Sequence, residues 1–206
     1  MRLLLFLFAL LLTAPALQAQ TIRQRSTTSG FNIGLQGHLL GWSSDYFRFL
    51  DENAGSGGGV TLRVGYGFTP HLEAFGQFDR TGMNVDELDA ESFRFSHLTG
   101  GVRYNISATT HAFRPFLELG YAHRSGLVRQ VVNGNGYNDI NFRGGAVHLG
   151  GGINYFVSLP VALSLSGSFQ TGGKSAVSVD SFNTGDRADV STFRVSLGVI
   201  LFPGEF

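Results

Sequence analysis

A histidine and a serine that are one residue apart offer the simplest candidate for catalysis in this sequence. His123 and Ser125 share one face of the chain if the segment is extended, because side chains alternate across a strand. A serine nucleophile needs a general base and an acid that orients the base. The next acid along the chain is Asp139, which falls in a predicted loop. The alternative interpretation is that His123 is a strand-end histidine at the level of lipid headgroups.

Two glycine-rich stretches invite comparison with phosphate-binding loops. In QTGGKS, residues 170–175, the first glycine of the full motif would fall at position 168, which is Ser168. The stretch also lacks a strand-to-helix context, so we predict a turn. GSGGG, residues 55–59, has no lysine and is predicted to be a flexible loop.

Three histidines, His38, His97 and His148, fall on the polar face of predicted strands, toward the same end. Histidine titrates near pH 6.5, so a cluster of the three could sense pH or bind a metal. The alternative is that each is a separate polar side chain filling an interior.

Charged side chains in mid-strand form the fourth candidate group. They share the polar face of their segments, and they are Arg63, Glu73, Asp79, Arg103, Arg114, Glu118 and Arg194. Buried charges persist only when they are paired and hydrogen-bonded. If this face is enclosed, the pattern predicts an Arg–carboxylate network. Glu118 is expected at its centre, between the strands that carry Arg103 and His148.

The segments that carry these residues alternate between apolar and polar positions. In VALSLSGSFQ, residues 161–170, Val161, Leu163, Leu165 and Phe169 lie on one face and Ser164, Ser166, Ser168 and Gln170 on the other. This period of two is typical of a strand. Eight such segments are predicted, at residues 31–42, 60–68, 72–80, 94–106, 113–124, 143–157, 161–170 and 190–202.

The connections between these segments alternate between short and long. Short ones are predicted at 69–71, 107–112 and 158–160, and long polar ones at 43–59, 81–93, 125–142 and 171–189. Outer-membrane barrels combine short periplasmic turns with longer external loops. Aromatic residues near strand ends are expected to form girdles at the two membrane interfaces, namely Trp42, Tyr46, Phe68, Phe93, Phe113, Tyr155, Phe156 and Phe202. The apolar faces are therefore predicted to contact lipid.

The start of the chain predicts export. Arg2 precedes an unbroken apolar run over residues 3–12, and small residues follow, which is the layout of a signal peptide. Cleavage is predicted after Ala19, with Ala16 as the alternative. The chain has no cysteine, which excludes a lipid anchor on cysteine and a disulfide scaffold. The 15 basic and 15 acidic residues give no basic excess that would favour nucleic acid binding.

These features resemble the small eight-stranded outer-membrane β-barrels of Gram-negative bacteria, the group that includes the OmpA transmembrane domain and OmpX. The resemblance is carried by the signal peptide, by RPFLELGYAH at 114–123 and by FRVSLGVILF at 193–202. It implies an all-β fold, an eight-stranded antiparallel up-and-down transmembrane barrel. The expected organisation is a signal peptide at 1–19, an N-terminal extension at 20–29, the barrel at 30–202 and a tail at 203–206.

The resemblance also implies location and partners. We expect a monomer in the outer membrane, in contact with lipids that include lipopolysaccharide. Periplasmic chaperones and the barrel-assembly machinery would act during biogenesis, with Phe202 or Phe206 as the assembly signal. The sequence HRS, residues 123–125, is similar to the His-x-Ser of the outer-membrane lipid A deacylase PagL, which implies esterase chemistry on lipid.

The function expected from the sequence is a structural or surface-interaction role through external loops. Neither catalysis nor a cofactor or metal is predicted. The alternatives are a small pore or conduit for hydrophobic solutes, and a lipid A-modifying enzyme built on His123 and Ser125.

Overall fold

A computed structural model describes residues 28–86, 90–106, 111–133, 136–180 and 182–203. The predicted signal peptide, with both candidate cleavage sites, lies outside these residues. So do positions 20–27 of the predicted N-terminal extension, part of the predicted short connection at 107–112, and Phe206.

Ten strands and one short helix make up the described chain. The strands are β1 (Gly30–Ser43), β2 (Ser56–Gly67), β3 (Leu72–Met83), β4 (Ser92–Asn105), β5 (Phe113–Asn133), β6 (Gly136–Ser158), β7 (Val161–Thr171), β8 (Lys174–Val179), β9 (Phe182–Asp189) and β10 (Ser191–Leu201). The helix, α1, spans Arg48–Asn53. Among the described residues, no helix is long and apolar enough to cross a membrane.

Eight of these strands close into an antiparallel barrel. Hydrogen bonding runs from β5 through β4, β3, β2 and β1 to β10, β7 and β6, and β6 pairs again with β5. The first and last strands meet along the register from Ile33–Leu201 to Ser43–Ser191. The predicted eight-stranded barrel is confirmed.

The two faces of the barrel differ as the alternation predicts. Outward positions are apolar and exposed, and Leu39 retains 71% of its side-chain exposure. Inward positions on the same strands are buried and mostly polar. Val161, Leu163, Leu165 and Phe169 face outward, while Ser164, Ser168 and Gln170 are buried in the interior. A wall of this kind places its apolar surface against lipid.

Two predicted loops are wrong, because the chain is strand there. Most of 125–142 continues β5 and β6 beyond the barrel, with a register shift between Val128 and Val131. The segment 171–189 forms the β8–β9 hairpin, and β8 pairs with β6 along Arg143–Ala176 to Ile140–Val179. Together β5, β6, β8 and β9 form a four-stranded extension that we call the projecting sheet.

The glycine stretch at 55–59 is not a loop either, since β2 begins at Ser56. A Cβ atom on Gly59 would lie 2.1 Å from the carbonyl oxygen of Arg80 and 2.7 Å from Nε2 of His38. Glycine is therefore required here so that the His38 ring can fit inside the barrel. The predicted turn at 170–175 is correct, with Gly172 and Gly173 in the left-handed region at φ +76° and +73°.

Candidate functional site

A charged network centred on Glu118 occupies the middle of the barrel. Oε1 of Glu118 accepts hydrogen bonds from Nη1 of Arg63 at 2.7 Å and from Nε of Arg103 at 2.8 Å. Its Oε2 lies 3.4 Å from Nε2 of His148. Arg63 also donates to Oε1 of Glu73 at 3.0 Å. We call these five residues the Glu118 network.

The register explains why these residues meet. Glu73, Arg103 and Glu118 stand in one row across β3, β4 and β5, and all three point inward. Arg63 reaches the same carboxylate from β2. Charge-assisted bonds of this kind are about twice as strong as neutral ones. Here they join side chains that are buried inside the barrel.

Inward-facing aromatic rings support the arginines. The guanidinium carbon of Arg63 lies 4.1 Å from the ring centre of Phe75, and that of Arg103 lies 3.7 Å from Phe116. Arg114 lies over Phe156 at 4.3 Å, and its Nε donates to the carbonyl of His111. Desolvated cation–π contacts are among the stronger examples of this interaction. The sequence analysis did not predict Phe75 and Phe116 as lumen residues. Their spacing from Glu73 and Glu118 places them on the same inward face, so the alternation could have identified them.

A second polar layer lies closer to the long connections. Arg194 forms an ion pair with Asp79 and donates to Oγ of Ser168 at 3.2 Å. Thr61 donates to Oδ1 of Asp79 at 2.7 Å. The Asp79 layer thus holds its charges in a pair, whereas three basic side chains share Glu118.

The three candidate histidines contact different partners. His38 bridges the hydroxyls of Thr61 and Thr81, at 2.8 Å each. The His97 ring stacks on Phe95, and His148 belongs to the Glu118 network. Within the described residues, no group of three or more potential ligands could hold a metal ion. A pH-sensing role for these histidines stays a prediction.

Arg124 is an interior residue that the sequence analysis overlooked. Its Nε donates to Oγ of Ser175 at 3.1 Å, and its Nη2 to the carbonyl of Gly173 at 2.7 Å. Nη1 contacts the carbonyl of Val190. These bonds tie both ends of the β8–β9 hairpin to the barrel wall. The alternation of the strand could have identified it. Arg124 lies an even number of residues from Glu118 and therefore shares its inward face.

Apolar side chains close the end of the lumen that faces the long connections. The Trp42 ring centre lies 5.3 Å from those of Phe93 and Phe95 and 5.8 Å from that of Phe142. Phe47, just before α1, packs on Phe142 at 5.1 Å. We call these five residues the aromatic plug. The assignment of Trp42 and Phe93 to a membrane girdle is therefore wrong.

The α1 segment covers this plug. Nε1 of Trp42 donates to the carbonyl of Ala54 at 2.8 Å, and Leu50 of α1 is buried against the plug. Ser44 donates to the carbonyl of Asp189 at 2.7 Å, which joins this connection to the β8–β9 hairpin. The predicted loop at 43–59 is thus partly helical.

Apolar side chains also close the opposite end. The ring centres of Phe156 and Phe202 lie 5.2 Å apart, with Ala162 and Ile200 buried beside them. The amide of Phe202 donates to the carbonyl of Pro160 at 2.7 Å. Phe156 and Phe202 therefore face inward and do not belong to a girdle. The other predicted girdle residues, Tyr46, Phe68, Phe113 and Tyr155, are exposed.

The proposed catalytic pair is on the outer face. His123 is exposed, Ser125 is partly exposed, and neither side chain is hydrogen-bonded to any described residue. Asp139 accepts from the amide of Gln130 at 3.0 Å instead of orienting His123. This geometry lacks the base–acid contact of a serine hydrolase.

Comparison with known proteins assigns this barrel to a family. A family model described as the outer membrane protein beta-barrel domain matches residues 4–200. The chain belongs to this family. It is therefore an outer-membrane barrel of the Gram-negative envelope. No curated protein sequence matches the chain significantly.

Solved structures of other outer-membrane proteins share the fold. Neisserial surface protein A is similar with a TM-score of 0.60 and 19% identity over 84% of this chain and 97% of its own. OprG from Pseudomonas aeruginosa gives 0.55 and 13% identity over 86% and 98%. Ail, the attachment invasion locus protein of Yersinia pestis, gives 0.53 and 15% over 84% and 99%. At these identities the likeness shows the fold alone.

Proposed function

We propose that this protein is a non-conducting, non-catalytic outer-membrane barrel that presents the projecting sheet at the cell surface for contact with another molecule. The observation that carries the proposal is the extension of β5, β6, β8 and β9 beyond a filled barrel. The proposal places the long connections outside the cell, because the external loops of outer-membrane barrels are generally longer than their periplasmic turns.

The filled interior argues against the pore alternative. The aromatic plug, the two polar layers and the Phe156–Phe202 pair follow one another from the long-connection end to the other. An eight-stranded barrel is just wide enough for side chains to fill it. We expect planar-bilayer recordings of the purified protein to show no reproducible single-channel steps. Steady steps would contradict the proposal.

The far end of the projecting sheet carries exposed aromatic residues suited to contact. Tyr137 on β6 and Phe182 on β9 retain 70% and 79% of their side-chain exposure. Aromatic residues are enriched at protein interfaces. A binding screen with surface extracts should therefore recover a partner that is lost in the Tyr137→Ala, Phe182→Ala double variant. Phe31→Ala, on the lipid-facing wall, is the control and should leave binding unchanged.

The orientation has its own test. An epitope tag after Asp180, in the β8–β9 turn, should be labelled on intact cells. A matched tag after Leu159, in the short β6–β7 connection, should be labelled only after the outer membrane is opened. The reverse labelling pattern would show that the barrel has the opposite orientation in the membrane, and it would contradict the proposed surface role.

A further inference from the structure

A cleft with a volume of about 370 Å³ lies on the outward face of the projecting sheet. Its walls come from β5, β6 and β8, and its lining residues are Leu127, Asp139, Asn141, Arg143, Ala176 and Ser178. Leu127 and Ser178 stand beside Asn141 in one row of the sheet, and Ala176 stands beside Arg143. We call these six residues the β6 cleft, because three of them belong to this strand.

Opposite charges stand at the two ends of the cleft. Asp139, Asn141 and Arg143 alternate with inward residues of β6, so their side chains share one face. Successive members of this series are about 7 Å apart along the strand, and the acid and the base are about 13 Å apart. The order acid, amide, base gives the cleft a negative end away from the barrel and a positive end towards it.

The negative end is fixed by an irregularity in the neighbouring strand. Two residues of β5, Arg129 and Gln130, lie opposite Asp139 at the register shift. The amide of Gln130 donates to Oδ1 of Asp139 at 3.0 Å. Asp180 adds a second carboxylate here, because its Oδ1 accepts a hydrogen bond from the amide of Asp139 at 2.8 Å. Two acids held by backbone bonds therefore stand ready for a cationic group.

The other polar groups of the cleft have no partner within the described chain. The side chains of Arg143 and Ser178 make no ion pair or hydrogen bond with any described residue. Oδ1 of Asn141 is buried and receives no hydrogen bond from the described residues. A buried acceptor that lacks a hydrogen bond is destabilising. This arrangement favours a ligand that brings a donor for the amide and an anion for the guanidinium group.

The backbone of β6 does not offer hydrogen bonds to such a ligand. It is paired with β5 on one side and with β8 on the other, so recognition must come from side chains. A neutral sugar would leave both charged ends without a counter-charge. An extended polypeptide has the same rise per residue as β6, so its side chains at positions i, i+2 and i+4 can face the three residues in order.

We propose that the β6 cleft binds an extended segment of a protein partner that carries a basic and an acidic side chain four residues apart. The basic side chain pairs with Asp139, and the acidic one forms paired hydrogen bonds with the guanidinium group of Arg143. An amide side chain between them bonds to Asn141. Leu127 and Ala176 contact the apolar atoms that separate these groups. The assignment of this partner rests on the surface role proposed above.

Synthetic peptides test the charge pattern directly. The full-length protein in phosphatidylcholine nanodiscs is titrated with fluorescent peptides that contain Lys-Thr-Asn-Thr-Glu, Lys-Thr-Asn-Thr-Lys or Glu-Thr-Asn-Thr-Glu, and binding is measured by fluorescence anisotropy. We expect the mixed-charge peptide to bind. Each like-charge peptide should bind about tenfold more weakly, because it loses one charge-assisted bond.

Variants of the cleft test the roles of its residues. Arg143→Glu should reverse the preference, so that the doubly basic peptide binds best, and a misfolded variant cannot produce this change. Asp139→Asn should weaken binding of the mixed-charge peptide about tenfold, while its amide oxygen can still accept from Gln130. Arg48→Gln, an exposed arginine on α1, is the matched control and should bind as the wild type does.

Several outcomes would overturn the proposal. These are no measurable binding of the mixed-charge peptide, equal binding of all three peptides, an unchanged preference in Arg143→Glu, or an equal loss in the Arg48→Gln control. Binding of neutral maltotriose that displaces the peptide and persists in Arg143→Gln would assign the cleft to a sugar instead. The peptide titrations use the isolated protein, so they can fail while loss of partner capture in the Tyr137→Ala, Phe182→Ala double variant still supports the surface role.

Discussion

The middle of the lumen and its loop-side end are built by the same strands with opposite chemistry. In the middle, inward positions carry charges that meet at Glu118. Towards the long connections, inward positions carry the rings of the aromatic plug. Strand β4 shows the change within one element, from Arg103 through His97 to Phe95 and Phe93. The alternation along each strand determines which side chains point into the barrel. Their position along the barrel axis determines whether those side chains are charged or aromatic.

The two regions should respond differently to substitution. Removal of the Glu118 carboxylate leaves Arg103 without its ion-pair partner and leaves Arg63 with Glu73 alone. An apolar cluster loses contacts in proportion to the atoms deleted, and neighbouring rings can relax into the space. The charged middle is therefore expected to be the more sensitive region for a small change of side chain.

The largest effect is expected for Glu118→Ala. Arg63 and Arg103 would keep their buried charges without the carboxylate between them. Removing one partner of a buried pair costs about 3–5 kcal/mol. Urea unfolding of the protein folded into lipid vesicles measures this loss. Ser166→Ala, a small polar change at a lumen-facing position, should stay within about 0.5 kcal/mol. Equal stability of the two variants would mean that water satisfies the arginines.

Trp42→Ala tests the plug and is expected to cost about 3 kcal/mol. It removes the ring that contacts Phe93, Phe95 and Phe142, and it frees the carbonyl of Ala54. Phe49→Ala, an exposed ring on the covering helix, is the control and should change stability little. We also expect Trp42→Ala to remain non-conducting, because both polar layers lie below the plug. Channel activity in this variant would show that the plug alone closes the barrel.

A smaller loss, about 2 kcal/mol, is expected for Asp79→Asn. The amide keeps an acceptor for Thr61 but no longer neutralises Arg194. This substitution also tests whether the two polar layers are independent. Because no hydrogen bond between described residues joins the two layers directly, the losses from Asp79→Asn and Glu118→Ala should add in the double variant. A double variant much less destabilised than the sum would show one continuous network.

The smallest effect concerns a surface contact between the first long connection and the β8–β9 hairpin. The hydroxyl of Tyr46 donates to Oδ2 of Asp186 at 2.8 Å, and this bond raises the pKa of Tyr46 above its ordinary value. A raised pKa favours the neutral phenol, so the contact holds below the ordinary tyrosine pKa and is lost as pH rises through the raised one. In Asp186→Asn, ultraviolet titration should show one tyrosine ionising at lower pH. An unchanged titration would mean that the contact does not form in solution.

The barrel could be predicted from the sequence because its strongest signal, a period of two, is local to each strand. The charged residues of the lumen were found in the same way, since a charge on the lipid-facing side is costly. The projecting sheet was missed because VNGNGYND and NTGDRAD have the composition of turns. The second stretch lies in β9, which pairs with β8. The place of this hairpin in the sheet depends on β8 pairing with β6, a contact between distant segments. Trp42 and Phe93 were wrongly assigned to a membrane girdle because they lie near strand ends. The alternation along their strands places both side chains inside the barrel.

The seam between β1 and β10 has a consequence for the order of folding. Its paired residues come from the two ends of the barrel domain, with all the other barrel strands between them. No subset of strands can satisfy its own edges within a bilayer, where unpaired backbone groups have no water to bind. Pairings between such distant residues also form slowly. Closure must therefore come last, and until then the chain depends on something outside itself to shield the open edges of the sheet.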